Sequence, residues 1–254
     1  MPELVARLRA WWVPLGLLAA LELYARTVAA GSDAIAAPSA ALLAWLGAAR
    51  DGSLWQATWF TLGSAALGLL IASLLGVAGG LLLGLSRRAD ASSALSVELL
   101  RPIPSVALIP LAMLVFGFGL RMETAVIAFA AVWPMLILTR AAVRQVEPSL
   151  LEVGRVLGLS AWQRGVKIVL PACVPRLFVA LRLGVAIALV VAVTVEIAAN
   201  PHGMGYAMMI AQQGLDPALM LAWLGWIGVV GYVINLLALK LQGRVARAMG
   251  EATA

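Results

Sequence analysis

The chain reads as an all-α, polytopic membrane protein. The expected architecture is a helical bundle with six transmembrane helices, both termini cytoplasmic, and a short cytoplasmic helix-turn-helix elbow. Three observations predict this. The 254 residues are 63% hydrophobic and only 12% charged, with a mean hydropathy of +1.00, more apolar surface than a soluble core of this length hides. Six apolar segments approach the roughly 20 residues that cross a bilayer. Basic residues crowd alternate loops. Residues 1–254 therefore form one membrane domain.

The first segment, 11–30, follows Arg7 and Arg9 as a signal peptide would. Its length and Glu22 favour a retained helix over a cleaved leader. Glu22 and Arg26 stand four apart and are expected to pair. The second segment, 56–85, is long enough to tilt or protrude. Along it Gly68, Ala72, Gly76, Gly80 and Gly84 recur every four residues, a line of small side chains suited to close helix packing. Residues 86–101 make an amphipathic connector, and Pro102 and Pro104 break any continuous helix there. The remaining segments are 103–120, 122–140, 177–199 and 218–239. Trp11, Trp12, Trp55, Trp59, Trp223 and Trp226 fall near segment ends and read as a headgroup-level aromatic belt.

Orientation follows from charge. Of the 18 Lys and Arg residues, only Arg26, Arg50 and Arg121 fall in loops on one side of the membrane. Both termini and the 147–171 loop thus face the cytoplasm, which expects a multi-pass protein of the bacterial inner (cell) membrane. The pI of about 10.4 reports this topology rather than a nucleic-acid partner. Cys173 is the single cysteine, so neither an intramolecular disulfide nor a thiol metal cluster is available.

The 147–171 loop, EPSLLEVGRVLGLSAWQRGVKIVLP, is the long polar-bearing insert between apolar blocks. Ser149 with Glu152 has the spacing of a capping box. Gly158 supplies a left-handed cap, Ser160 with Gln163 repeats the box, and Pro171 is expected to stop the second helix. A basic amphipathic segment resting on lipid needs neither caps nor a sharp hinge, so a docking elbow is the better reading.

The same residues resemble the EAA signature of ABC-importer permeases. Glu152, Gly158, Ile168, Leu170 and Pro171 match its spacing, while Val153 and Gly154 stand where the family usually has two alanines. Residues 100–119, and the pattern of Glu196, Asn200, Gly203, Gly205 and Tyr206, resemble the sulfonate/nitrate/taurine-type permeases. The resemblance implies a transport subunit without a cofactor. Its implied partners are a cytoplasmic ABC ATPase, a periplasmic or lipid-anchored solute-binding protein, a second permease subunit (a homodimer, with a heterodimer as the open alternative), and membrane lipid. It implies that Glu152 and Gly158 shape the elbow and that Leu159, Ser160, Trp162 and Arg164 meet the ATPase. The departure at Val153-Gly154 weakens the first helix, because mid-helix Gly costs about 1 kcal/mol against Ala.

Other chemistry lacks its parts. No phosphate-cradling G-x-x-x-x-G-K-[ST] motif or G-x-S-x-G elbow occurs, and His202 is the single histidine, so if ATP is used another polypeptide binds it. A self-contained secondary transporter or channel needs intramembrane carboxylates, for which Glu22 and Glu196 are the candidates. Glu196 has no basic residue within four positions and is expected either to face the translocation path or to reach the headgroups.

Overall fold

The computed structural model describes residues 2–29 and 35–248, with no strand among them. In chain order the helices are α1 (Pro2–Thr27), α2 (Pro38–Arg50), α3 (Ser53–Leu85), α4 (Arg87–Leu100) and, after a 3-10 turn at Ser105–Leu108, α5 (Ile109–Phe116). There follow α6 (Leu120–Arg144), α7 (Pro148–Val156), α8 (Ala161–Arg164), a π-turn at Gly165–Val169, α9 (Leu170–Ala198), α10 (Met204–Gln213) and α11 (Pro217–Ala248). The chain divides into two compact units, Met1–Phe60 with His202–Val230, and Thr61–Pro201 with Gly231–Ala254.

In the first unit, Glu22 pairs with Arg26 at 2.5 Å as the spacing predicts. It also accepts from the Ser39 backbone N–H at 2.9 Å and from the Ser39 hydroxyl at 2.6 Å, tying α1 to the start of α2. The tryptophans do not all form a belt. Trp226 packs on Trp45 and Trp55, with ring centroids 5.6 and 5.9 Å away, and its indole N–H donates to Thr58 at 2.8 Å. Trp223 is buried, whereas Trp12 and Trp59 are exposed. The Trp11 side chain lies outside the described residues. The correction is physical: an indole N–H that finds a partner inside the fold has no need of the headgroup layer. His202 is exposed and stacks on Phe60.

In the second unit, the small-residue line of α3 is the contact with α6. A Cβ added at Gly68 would lie 2.5 Å from Ile127 Cγ2, one at Gly76 2.5 Å from Met135 Cβ, and one at Gly80 2.5 Å from Thr139 Cβ. Ala72 is fully buried in the same line. Helix α6 also packs along α9, where Met122, Val126, Ile127, Ala192 and Val195 make an apolar seam. Asp90 of α4 holds Arg140 at 2.6 Å and also pairs with Arg144, mooring α4 to the end of α6.

Among the described residues, four helical stretches are long and apolar enough to cross a membrane: Ser53–Leu85, Leu120–Arg144, Trp162–Ala198 and Pro217–Val245. The number rises to five if α4 and the segment Ser105–Phe116, bent by 85°, count as one broken span. This is fewer than the six expected. The stretch 103–120 does not form one helix. Its α5 has 8 residues and reaches about 12 Å, well short of the hydrocarbon core. Gly117 and Gly119, with φ of 71° and 105°, end it in conformations that favour glycine. In α1, two tryptophans, Pro14, Glu22 and Arg26 dilute the apolar run. The C-terminal residue Ala254 lies outside the described residues.

Candidate functional site

The elbow is built from α7, the hinge at Gly158 and α8. Its start differs from the sequence expectation. Glu147 is the N-cap and Pro148 the first helical residue, so Ser149 lies inside the first turn and its hydroxyl donates to Glu147 at 3.2 Å. Proline at the first helical position pre-sets φ and needs no N–H partner, which starts the helix ahead of the expected Ser149 cap. Glu152 consequently closes no capping box. It is exposed and makes no side-chain hydrogen bond or ion pair with another described residue.

The hinge follows the expectation. Gly158 has φ of 69°. Its N–H donates to the Arg155 carbonyl at 3.0 Å and the Leu159 N–H to the Gly154 carbonyl at 3.0 Å, the paired bonds of a Schellman cap. The second box also forms: the Ser160 N–H donates to Gln163 Oε1 at 2.8 Å, and the Gln163 N–H donates to Ser160 Oγ at 3.2 Å. Arg164 reaches back, its Nη1 donating to the Leu159 carbonyl at 2.9 Å. Leu159 and Arg164 are thus half-buried parts of the hinge.

Gly154 has a packing role. A Cβ there would lie 2.7 Å from Ile168 Cδ1 and 3.1 Å from Arg164 Cγ. The glycine lets α7 lie against the returning arm, where an alanine would press on it. Pro171 does not end that arm. The chain widens into the π-turn, with the Leu170 N–H bonded to the Gly165 carbonyl, and continues into α9 with Pro171 in its first turn. Placed there, the missing proline N–H breaks no established helical bond. Val169 and Cys173 are buried against Ala142 and Val143, with Leu151 of α7 packed alongside, so the elbow is seated on α6 and α9.

Its outer rim is apolar. Trp162 is 79% exposed, Val156 87% and Leu157 69%. Val156 and Leu157 were not picked from the sequence, although their place just before Gly158 was the available signal.

A second cluster lies between α6 and α9. Glu196 is fully buried, and so is Glu123, which sequence reasoning left at the edge of a span and did not count among the intramembrane acids. Glu123 accepts hydrogen bonds from the Ser64 hydroxyl and the Asn200 amide, and its carboxyl is in hydrogen-bonding contact with Glu196. No Lys or Arg forms an ion pair with Glu123 among the described residues. Among the described residues no group of His, Cys, Asp and Glu side chains is arranged to hold a metal ion.

The family model described as binding-protein-dependent transport system inner membrane component matches residues 68–251. The chain belongs to this family. As a binding-protein-dependent inner membrane component, it is a multi-pass ABC-importer permease. It is 32% identical to the putative aliphatic sulfonates transport permease protein SsuC of Bacillus subtilis (strain 168), over 78% of this chain and 71% of that one. It is 33% identical to the bicarbonate transport system permease protein CmpB of Synechococcus elongatus, over 80% of this chain and 73% of the relative. In fold it is similar to a chain of the MetNI methionine ABC transporter in an inward-facing conformation, with a TM-score of 0.66 at 19% identity, covering 74% of this chain and 93% of that one. At that identity the likeness speaks for the fold alone.

Proposed function

We propose that this permease pairs with a second permease subunit, docks a separate cytoplasmic ATPase through its elbow, and receives a small anion from an external solute-binding protein. The observation that carries the docking is the rim of Val156, Leu157 and Trp162. These apolar side chains stand exposed on an elbow whose shape is set by a Schellman cap and a capping box. A large exposed apolar patch on a locked polar-capped scaffold marks a protein contact. Glu152 adds an unpaired charge beside it.

In this reading the bundle crosses the membrane six times, α1 and the bent α4–α5 pair supplying two crossings, with both termini cytoplasmic. ATP-driven closure of the ATPases draws two elbows together, and the rigid seating of each elbow on α6 and α9 passes that motion to the helices as alternating access. The turn at 200–206 faces the binding protein. The relatives named for sulfonates and for bicarbonate both carry anions, which favours an anionic cargo here. The buried Glu123–Glu196 pair is the feature that favours a self-contained secondary transporter, since such carriers use intramembrane carboxylates.

Co-purification decides between the two. Trp162→Asp is expected to reduce ATPase recovery with the permease at least tenfold without altering membrane insertion. Unchanged recovery for Trp162→Asp and also for Leu157→Asp would remove the docking assignment. Ion-driven uptake by the chain alone in vesicles would establish the secondary-transporter reading.

A further inference from the structure

Arg182 lies within α9, in one of the four apolar spans, 16 positions before the last helical residue, Ala198. That places it about 24 Å along the helix from this end. Its Nε donates a long hydrogen bond, 3.4 Å, to the side-chain oxygen of Asn235 on α11. The guanidinium makes no ion pair with a carboxylate among the described residues. An arginine within an apolar span ordinarily pairs with an acid or a set of carbonyls. Here it borders a pocket of 230 Å³ whose other walls include Phe178, Leu181, Val185, Ile234 and Ala238. No acidic residue lies on α9 before Glu196 or on α11 after Asn235, while Arg176, Lys240, Arg244 and Arg247 do lie on those stretches. The local field is therefore positive along this part of the unit.

These features suit one kind of guest. A planar guanidinium presents parallel N–H donors that match an oxyanion in a bidentate fashion. The Asn235 amide adds a neutral donor beside it. The walls offer nothing to a hydrated inorganic ion but do accept a short hydrocarbon body. We propose that Arg182 and Asn235 form a binding subsite for a small organic oxyanion, its charged head on the guanidinium and its apolar body against Phe178, Val185 and Ile234. The inference rests on the permease reading and deepens it: the cargo is an organic anion of the sulfonate or carboxylate type in preference to a bare inorganic one.

The test uses the full-length permease in lipid nanodiscs, with butane-1-sulfonate as the probe in equilibrium dialysis and nitrate as competitor. Wild type is expected to bind the sulfonate saturably, with nitrate competing at least tenfold more weakly. Arg182→Gln and Ala238→Phe are each expected to weaken binding at least tenfold, the first by removing the charge and the second by filling the cavity with the charge intact. Should Arg182→Gln fail to give a monodisperse protein, Ala238→Phe decides the matter. Absence of saturable binding in wild type, or wild-type affinity in Ala238→Phe, overturns the subsite. Competition by nitrate at equal strength overturns the organic preference. ATP-driven uptake with the ATPase and binding protein separates the two levels. Uptake in wild type with no effect of either variant on binding or uptake removes the subsite and leaves the permease reading standing. Saturable binding in a chain that supports no ATP-dependent uptake retains the subsite and removes that reading.

Discussion

Glu123 and Asn200, 77 positions apart in sequence, meet in a hydrogen bond buried between α6 and the end of α9. The amide donates to one carboxyl oxygen while the Ser64 hydroxyl donates to the other. Glu196 completes the cluster. Met122, Val126 and Val195, next to these residues in sequence or one turn away, are fully or almost fully buried in an apolar cluster. A carboxyl in such a place depends on its donors, because a buried polar group left unsatisfied costs about 1–3 kcal/mol.

The cluster makes a first prediction. Asn200→Leu removes a donor and leaves the acid, so thermal stability in detergent should fall by about 1–3 kcal/mol. Glu123→Gln in the wild-type background should cost less, because it keeps the side-chain volume and one oxygen to accept from Asn200. Glu123→Ala should be the worst of the three, since it strands the Asn200 donor and leaves a cavity, while the Ser64 hydroxyl keeps the Thr61 carbonyl at 2.9 Å. Equal stability of Glu123→Gln and Glu123→Ala would show that the hydrogen bonds contribute nothing.

The α3–α6 contact gives a second. A Cβ at Gly80 would meet the Leu136 carbonyl oxygen at 2.6 Å and Thr139 Cβ at 2.5 Å, and the backbone atom cannot step aside. Gly80→Ala should destabilise by about 1–3 kcal/mol through overpacking. Gly63, on the same helix, has nothing within 4 Å of an added Cβ. Gly63→Ala should be neutral or stabilising by up to about 1 kcal/mol, since it removes backbone freedom from the unfolded chain. Comparable losses for both substitutions would mean that close approach is not what α3 requires.

What was legible in the sequence was local. The Ser160–Gln163 box and the left-handed Gly158 are decided by residues within a few positions, and both form as their spacing indicates. The Gly68–Gly84 line was legible because a single helix carries its period. Glu123 was not, because its burial depends on Ser64 far before it and Asn200 far after it. The first box failed for a local reason that was visible but outweighed: Pro148 competes with Ser149 for the start of α7. Pro171 was read as a stop because a proline inside a helix breaks it, whereas the π-turn before it absorbs the irregularity. Gly154 looked like a weakness in α7 until Ile168 and Arg164 were seen lying against it.

The elbow makes a third prediction. Gly158→Ala places a Cβ on a residue with φ of 69°, a strain of about 1–2 kcal/mol. Ser160→Ala removes one half of the capping box, worth about 0.5–2 kcal/mol. Both should loosen the elbow and raise its cleavage by protease several-fold, together with reduced ATPase recovery. Glu152→Ala should differ: the exposed carboxylate holds no bond in the fold, so protease resistance should be unchanged while ATPase recovery falls. Increased cleavage in Glu152→Ala would return that residue to a shaping role.

The last prediction concerns Glu22, which acts as a cap supplied by another helix. The N-cap of α2, Ala37, has no side-chain hydrogen bond to offer. Glu22 on α1 fills that need, taking the Ser39 N–H at 2.9 Å and the Ser39 hydroxyl at 2.6 Å. A carboxylate at a helix N-terminus also meets the positive end of the helix dipole. Its pair with Arg26 is the weaker partner, because the arginine side chain is 65% exposed, and exposed ion pairs contribute about 0–1 kcal/mol. The order of destabilisation should therefore be Glu22→Ala, then Glu22→Gln, then Arg26→Gln. Loss of the cap should account for about 0.5–2 kcal/mol in the first. Thermal melting of the purified protein at low and high salt reads this directly. Salt should shrink the Arg26→Gln effect and leave most of the Glu22→Ala effect, because the backbone N–H that Glu22 satisfies remains whether or not the charges are screened. If Arg26→Gln proves as damaging as Glu22→Ala at high salt, the ion pair rather than the cap holds α1 to α2.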